Sequence, residues 1–100
     1  MVDAPAEHLA EIRRLLRIHV PGCEVRIFGS RIAGTAKPYS DLDITLVSPA
    51  RIETRRLNAL REALAESRIP FRVDVSDWNE LSGEFKALVE RRFEVLDVQG

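Results

Sequence analysis

Asp41 and Asp43 open a run that is otherwise apolar, Leu42-Asp43-Ile44-Thr45-Leu46-Val47. In a strand, side chains alternate faces, so residues i and i+2 share one. Aspartate is depleted in strands and like charges side by side repel, so a plain solvent-facing strand is a poor reason for this pair. A divalent cation removes the repulsion, and Mg²⁺ commonly takes one or two carboxylates together with phosphate oxygens. Upstream of the pair, with ten residues between, stands Gly29-Ser30, at the end of another strand-like run over 23–28. Glycine permits a tight turn and close approach of a ligand to the backbone. Ser30 can cap a short helix, whose first N–H groups favour anions. Residues 26–47 therefore read as strand, glycine turn, short helix, polar loop (35–40, with Pro38) and strand: a turn that admits phosphate ahead of acids that can hold the phosphate's metal.

The flanking segments supply a core. Leu9, Ile12, Leu15, Leu16 and Ile18 recur at helical spacing, which predicts a helix over 5–18 that Pro21-Gly22 stops. Its arginines Arg13, Arg14 and Arg17 read as a solvated face. In the first strand Val25 and Ile27 face one way, Glu24, Arg26 and Phe28 the other; in the second, 41–48, Leu42, Ile44 and Leu46 oppose Asp41, Asp43, Thr45 and Val47. Leu57, Leu60 and Leu64 predict a second long helix over 53–67, with Arg55, Arg56 and Arg61 towards solvent. A third strand follows at 71–75, with Phe71, Val73 and Val75 on one face and Arg72 and Asp74 on the other. Leu81, Phe85, Leu88 and Val89 predict a third helix over 81–92, and 93–98 reads as a short terminal strand or tail. The expected fold is a small α/β (α+β) domain, a mixed sheet of three to four strands flanked by about three helices, spanning 1–100 as one unit.

With 45% hydrophobic and 31% charged residues the chain has the composition of a globular protein, and its net charge of −1 argues against gripping a nucleic-acid backbone. Cys23 is the single cysteine, so neither an intramolecular disulfide nor a cysteine zinc site is available, and a reducing cytoplasm is the expected compartment. No apolar run is long enough for a membrane span.

Gly29-Ser30, Arg31, Gly34, Ser40 and Asp41-Leu42-Asp43 together resemble the signature of the minimal nucleotidyltransferases, small members of the DNA polymerase β-like superfamily, over roughly residues 12–96. The resemblance implies a third acid on a later strand, for which Asp74 is the match and Asp77, beside Trp78-Asn79, the rival that reads rather as a cap. It implies two Mg²⁺ ions on Asp41, Asp43 and Asp74, ATP as substrate, and nucleotide contacts from Gly29, Ser30, Arg31, Gly34 and Ser40. Proteins of this type are often encoded with a small helical HEPN-type toxin, and some transfer AMP onto a partner tyrosine and so silence it. With little chain left for an acceptor module, the acceptor is expected in a cleft, a homodimer interface or another protein. Two other functions fit the same residues: an antitoxin that neutralises its partner by binding alone, and a transferase for a small molecule such as an aminoglycoside.

Overall fold

In the computed structural model, which describes residues 2–99, the alternating runs form one four-stranded mixed sheet. The elements are α1 (Ala6–His19), β1 (Glu24–Phe28), α2 (Ser30–Ala33), β2 (Leu42–Val47), α3 (Thr54–Ala65), β3 (Val73–Asp77), a 3₁₀ turn (Trp78–Glu80), α4 (Gly83–Arg91) and β4 (Glu94–Val95). The strand order is β3-β2-β1-β4. β1 runs antiparallel to β2 and to β4, whereas β2 and β3 are parallel, joined across the sheet by α3. Antiparallel strands accept a short connection, but parallel ones need a crossover of a dozen or more residues, which α3 supplies.

One face of the sheet carries Val25, Ile27, Leu42, Ile44, Leu46 and Val75, all buried. The stripes of α1 (Ile12, Leu15, Leu16) and α3 (Leu57, Leu60, Leu64) close over that face to make the core. Each large aliphatic side chain fully buried there contributes about 1.5–3 kcal/mol. The opposite face carries Arg26 and Phe28 of β1, which α4 and the 3₁₀ turn cover. Phe28 meets Phe85 edge to face at 5.7 Å, and the Arg26 guanidinium lies 4.9 Å from the Trp78 ring and 4.5 Å from the Phe93 ring.

Several expectations shift. Ile18 is 58% exposed and leaves the α1 stripe. β3 begins at Val73 and ends at Asp77, two residues later than the apolar pattern predicts at either end. Its parallel pairing starts at Leu42↔Val73, and the Leu42 N–H donates to the Arg72 carbonyl just before it. Phe71 is still buried, but ahead of the strand, against the edge of His8. α4 buries Val89 and leaves Phe85 and Leu88 partly in solvent, because it covers the second face of the sheet and adds nothing to the main core. Thr45 shares its strand face with Asp43 yet is fully buried, its hydroxyl paired with the Ser76 carbonyl. Arg14, Arg17, Arg55, Arg56 and Arg61 are exposed, as their spacing predicts, and Arg13 is half-buried, yet four of these also donate to carbonyls outside their own helices. Arg13 and Arg17 donate to the carbonyls of Asp97 and Val98, fastening the C-terminal segment to α1. Arg56 donates to the His19 carbonyl and Arg61 to that of Val75.

Candidate active site

Parallel pairing of β2 with β3 puts Asp43 directly beside Asp74, as register partners on neighbouring strands. Such strands lie about 4.8 Å apart, and both residues project from the face opposite the core. Asp41 precedes β2 at the end of the 35–40 loop and is exposed. Asp43 is half-buried, and its carboxyl is held above the ordinary aspartate range. Burial is the main cause; the charges of Asp74 and then Asp41 push the same way, and Arg72 opposes them. The three acids thus share one electrostatic field. Asp74 is exposed and lies 3.5 Å from the Arg72 guanidinium, a solvent-facing ion pair that can open at little cost.

Gly29 completes this corner. Phe28 is the register partner of Asp43, so the turn that follows β1 runs beside the carboxylate. Gly29 has φ 85° and ψ −158°, a region open essentially to glycine alone. A Cβ built there would lie 2.3 Å from Asp43 Oδ2. Turn and acid, well separated in sequence, are therefore in direct contact.

The other predicted residues fall into different places. Ser30 is the first residue of α2 and Gly29 its N-cap, so the serine hydroxyl makes no cap, contrary to the expectation, and is left half-exposed beside the turn. Arg31, expected among the nucleotide contacts, is turned into the fold. It is 3% exposed, donates to the carbonyls of Ser40, Asp3 and Pro38, and stacks 4.0 Å over the Phe71 ring. With those donors taken, it braces the loop that delivers Asp41. Ser40 belongs to the same brace: its hydroxyl accepts the Lys37 N–H and its carbonyl accepts Arg31. Gly34 adopts the left-handed conformation that ends α2, with its N–H on the Ser30 carbonyl.

Asp77 closes β3 two residues beyond Val75, and strand alternation sends it into the core face, away from Asp74. It is 1% exposed and accepts the N–H groups of Ile52 (2.8 Å) and Asn79 (3.0 Å). Strand parity and these two bonds make it the cap of the 3₁₀ turn, not a member of the acid cluster.

Among the described residues, no group of three or more His, Cys, Asp or Glu side chains is drawn together closely enough to hold a metal ion. The donor chemistry nonetheless suits Mg²⁺: hard carboxylate oxygens on adjacent strands, one with its ionisation opposed by the other two. Arg91 and Arg92 carry no sequence signal, yet they line a cleft together with Gly29. Only the covering of β1 by α4 brings these distant segments together, and no short-range spacing reports it. Among the described residues, no helix is long and apolar enough to cross a membrane.

Comparison with known proteins agrees with this geometry. A Haemophilus influenzae protein named "Probable protein adenylyltransferase MntA" is 37% identical over 95 residues, covering 95% of this chain and 83% of that protein. A crystal structure of a toxin–antitoxin with AMP-PNP is 26% identical, with a TM-score of 0.73 over 87% of this chain and 70% of that one. A crystal structure of a mutant MntA–HpeT toxin–antitoxin shares the fold, with a TM-score of 0.72 at 24% identity over the same shares of the two chains. Residues 9–96 match the family model described as "Nucleotidyltransferase domain", and the chain belongs to that family.

Proposed function

We propose that this chain, acting as one domain, is a Mg²⁺-dependent nucleotidyltransferase that moves AMP from ATP to a tyrosine hydroxyl of a helical HEPN-type toxin and so serves as its antitoxin. The observation that carries the reading is the contact of Gly29 with Asp43, whose register partner is Asp74. A phosphate-admitting turn and an acid pair have been folded into one corner. The similarity to an adenylyltransferase and to a toxin–antitoxin structure with AMP-PNP supports the donor and the class of partner. ATP and free Mg²⁺ make the cytoplasm the fitting compartment.

Asp41, Asp43 and Asp74 would hold the metal, with Asp74 leaving Arg72 to do so. Mg²⁺ held there, as two ions or one, would supply Lewis-acid chemistry, lowering the pKa of the attacking hydroxyl and offsetting charge on the triphosphate. Gly29 and the Ser30 hydroxyl seat the β- and γ-phosphates. The phenol oxygen forms a bond to the α-phosphorus, the bond from that phosphorus to the bridging oxygen breaks, and pyrophosphate departs. Asp74, the more exposed of the register pair, would receive the phenolic proton. Arg31 and Ser40 act on the reaction by fixing the loop that ends at Asp41.

The test is ATP labelled at the α-phosphate, with a γ-label in parallel, added with Mg²⁺ to the protein and the partner that co-purifies from its native cells. Covalent α-label on the partner, absent with the γ-label and with the Asp41→Ala, Asp43→Ala protein, is expected. Neutralisation of the partner without transfer of either label would make the chain a binding antitoxin. Transfer to a small hydroxylated compound without a partner would reassign the acceptor.

A further inference from the structure

A cleft of about 310 Å³ runs between the glycine turn and the last turn of α4. Phe28, Ala33 and Leu88 form its apolar wall, and Gly29, Arg91 and Arg92 complete it. A basic residue in the last turn of a helix is ordinary, since it complements the helix dipole. What sets this pair apart is its place beside the glycine turn. Like those of the exposed Arg55 and Arg68, neither guanidinium has an ion-pair or hydrogen-bond partner among the described residues, so both are available to a ligand. Both also border the same cleft as Gly29, whose other side is against the Asp43 carboxylate. The corner thus has acids on one side of the turn and unpaired cations on the other.

That division of charge fits a ligand with an anionic tail and a metal-bound head. Building on the transferase reading above, we propose that this cleft receives the β- and γ-phosphates of the nucleoside triphosphate, with Arg91 and Arg92 as their cationic partners. Guanidinium groups pair with phosphate through two parallel N–H donors. An apolar wall beside them lowers the local dielectric and focuses their field into the cleft. Arg91 and Arg92 are then binding residues for the leaving pyrophosphate, and they distinguish a triphosphate from a monophosphate, which has nothing to place there.

The test is calorimetric titration of ATP and of AMP, each with Mg²⁺, into the wild-type protein and into Arg91→Gln, Arg92→Gln and double variants, with circular dichroism to confirm folding. The ATP dissociation constant is expected to rise about tenfold for each arginine and about a hundredfold for both, with AMP binding unchanged. The Arg91→Lys, Arg92→Lys protein keeps the charge and recovers most of the ATP affinity. Unchanged ATP affinity in the double Gln variant would overturn the proposal. An equal loss for AMP would also overturn it, by assigning the cleft to the base or sugar. Loss of partner binding with ATP binding intact would overturn it too, making this a protein-docking face. A wild-type protein that binds neither nucleotide would instead sink the transferase reading itself, an outcome distinct from the other three.

Discussion

Replacing Gly29 with alanine tests the contact on which the site depends. The backbone there, at φ 85° and ψ −158°, costs a non-glycine residue about 1–3 kcal/mol. The new methyl group also lands 2.3 Å from Asp43 Oδ2, more than 1 Å inside ordinary contact, so the carboxylate must swing away. A displaced rotamer adds about 0.5–1.5 kcal/mol. The sum, about 2–4 kcal/mol, is a large part of the roughly 5–15 kcal/mol that holds a small domain together. At ~4–8 °C per kcal/mol, the melting temperature should fall by roughly 10–30 °C. Activity should suffer more than stability alone explains, since a 1 Å misplacement of a reacting group can cost about 10²-fold. Gly34→Ala is the control: φ is 81°, but nothing lies within 4 Å of the added Cβ. It should lose only the ~1–2 kcal/mol of a left-handed alanine and transfer AMP normally per folded molecule. Thermal unfolding followed by circular dichroism, with α-label transfer measured well below both transitions, separates the two effects. If Gly29→Ala melts within a few degrees of Gly34→Ala and keeps its transfer rate, the packing of turn against acid is not what the geometry says.

Asp77→Ala should destabilise the fold by about 3 kcal/mol, through the loss of two bonds to a buried carboxylate, while sparing transfer per folded molecule. Asp74→Asn should do the reverse, and denaturant melts paired with transfer rates distinguish them. Asp43→Asn should abolish transfer yet stabilise the protein at neutral pH. The Asp43 carboxyl is raised in the fold, so the folded state binds the proton more tightly than the unfolded one; ionisation therefore lowers stability as pH rises through the folded value. The advantage of the Asp43→Asn protein over the wild type should vanish as pH falls below the ordinary aspartate range, and a pH series of melting temperatures reads this directly. Arg31→Ala should cost about 2–4 kcal/mol through three lost carbonyl bonds, and limited proteolysis should then cut first in the 35–40 loop.

Local patterning made much of this molecule legible. Leu57, Leu60 and Leu64 announce α3, and the alternation in 24–28 and 42–47 announces both inner strands, because burial on one face imposes those periods. The acids stood out because they contradict their surroundings: charge at the mouth of an apolar strand needs a reason. What the sequence did not reveal depends on which distant segments meet. Arg31 looks like a ligand-facing cation until its three carbonyls are seen, and those lie in the loop and near the N-terminus. Phe85 and Leu88 have helical spacing but not a core position, since spacing defines a stripe and not what covers it. The cap role of Asp77 was legible in its neighbours Trp78-Asn79, but its burial on the core face depends on β3 running on to Asp77.

The two faces of the sheet are unequal. α1 and α3 make the hydrophobic core on one, while Asp43 and Asp74 project from the other. Asp41 and Asp74 are exposed, so if they hold the metal as proposed, a descendant of this protein could lose its chemistry in one mutational step and keep its shape. Selection for continued binding of the partner would then preserve the fold long after the reaction had gone. Lineages of this domain should therefore contain silent binders interspersed among enzymes, arising repeatedly and independently. The residue at Gly29 should be among the last parts of the site to drift, because its backbone geometry outlives the carboxylate it was packed against.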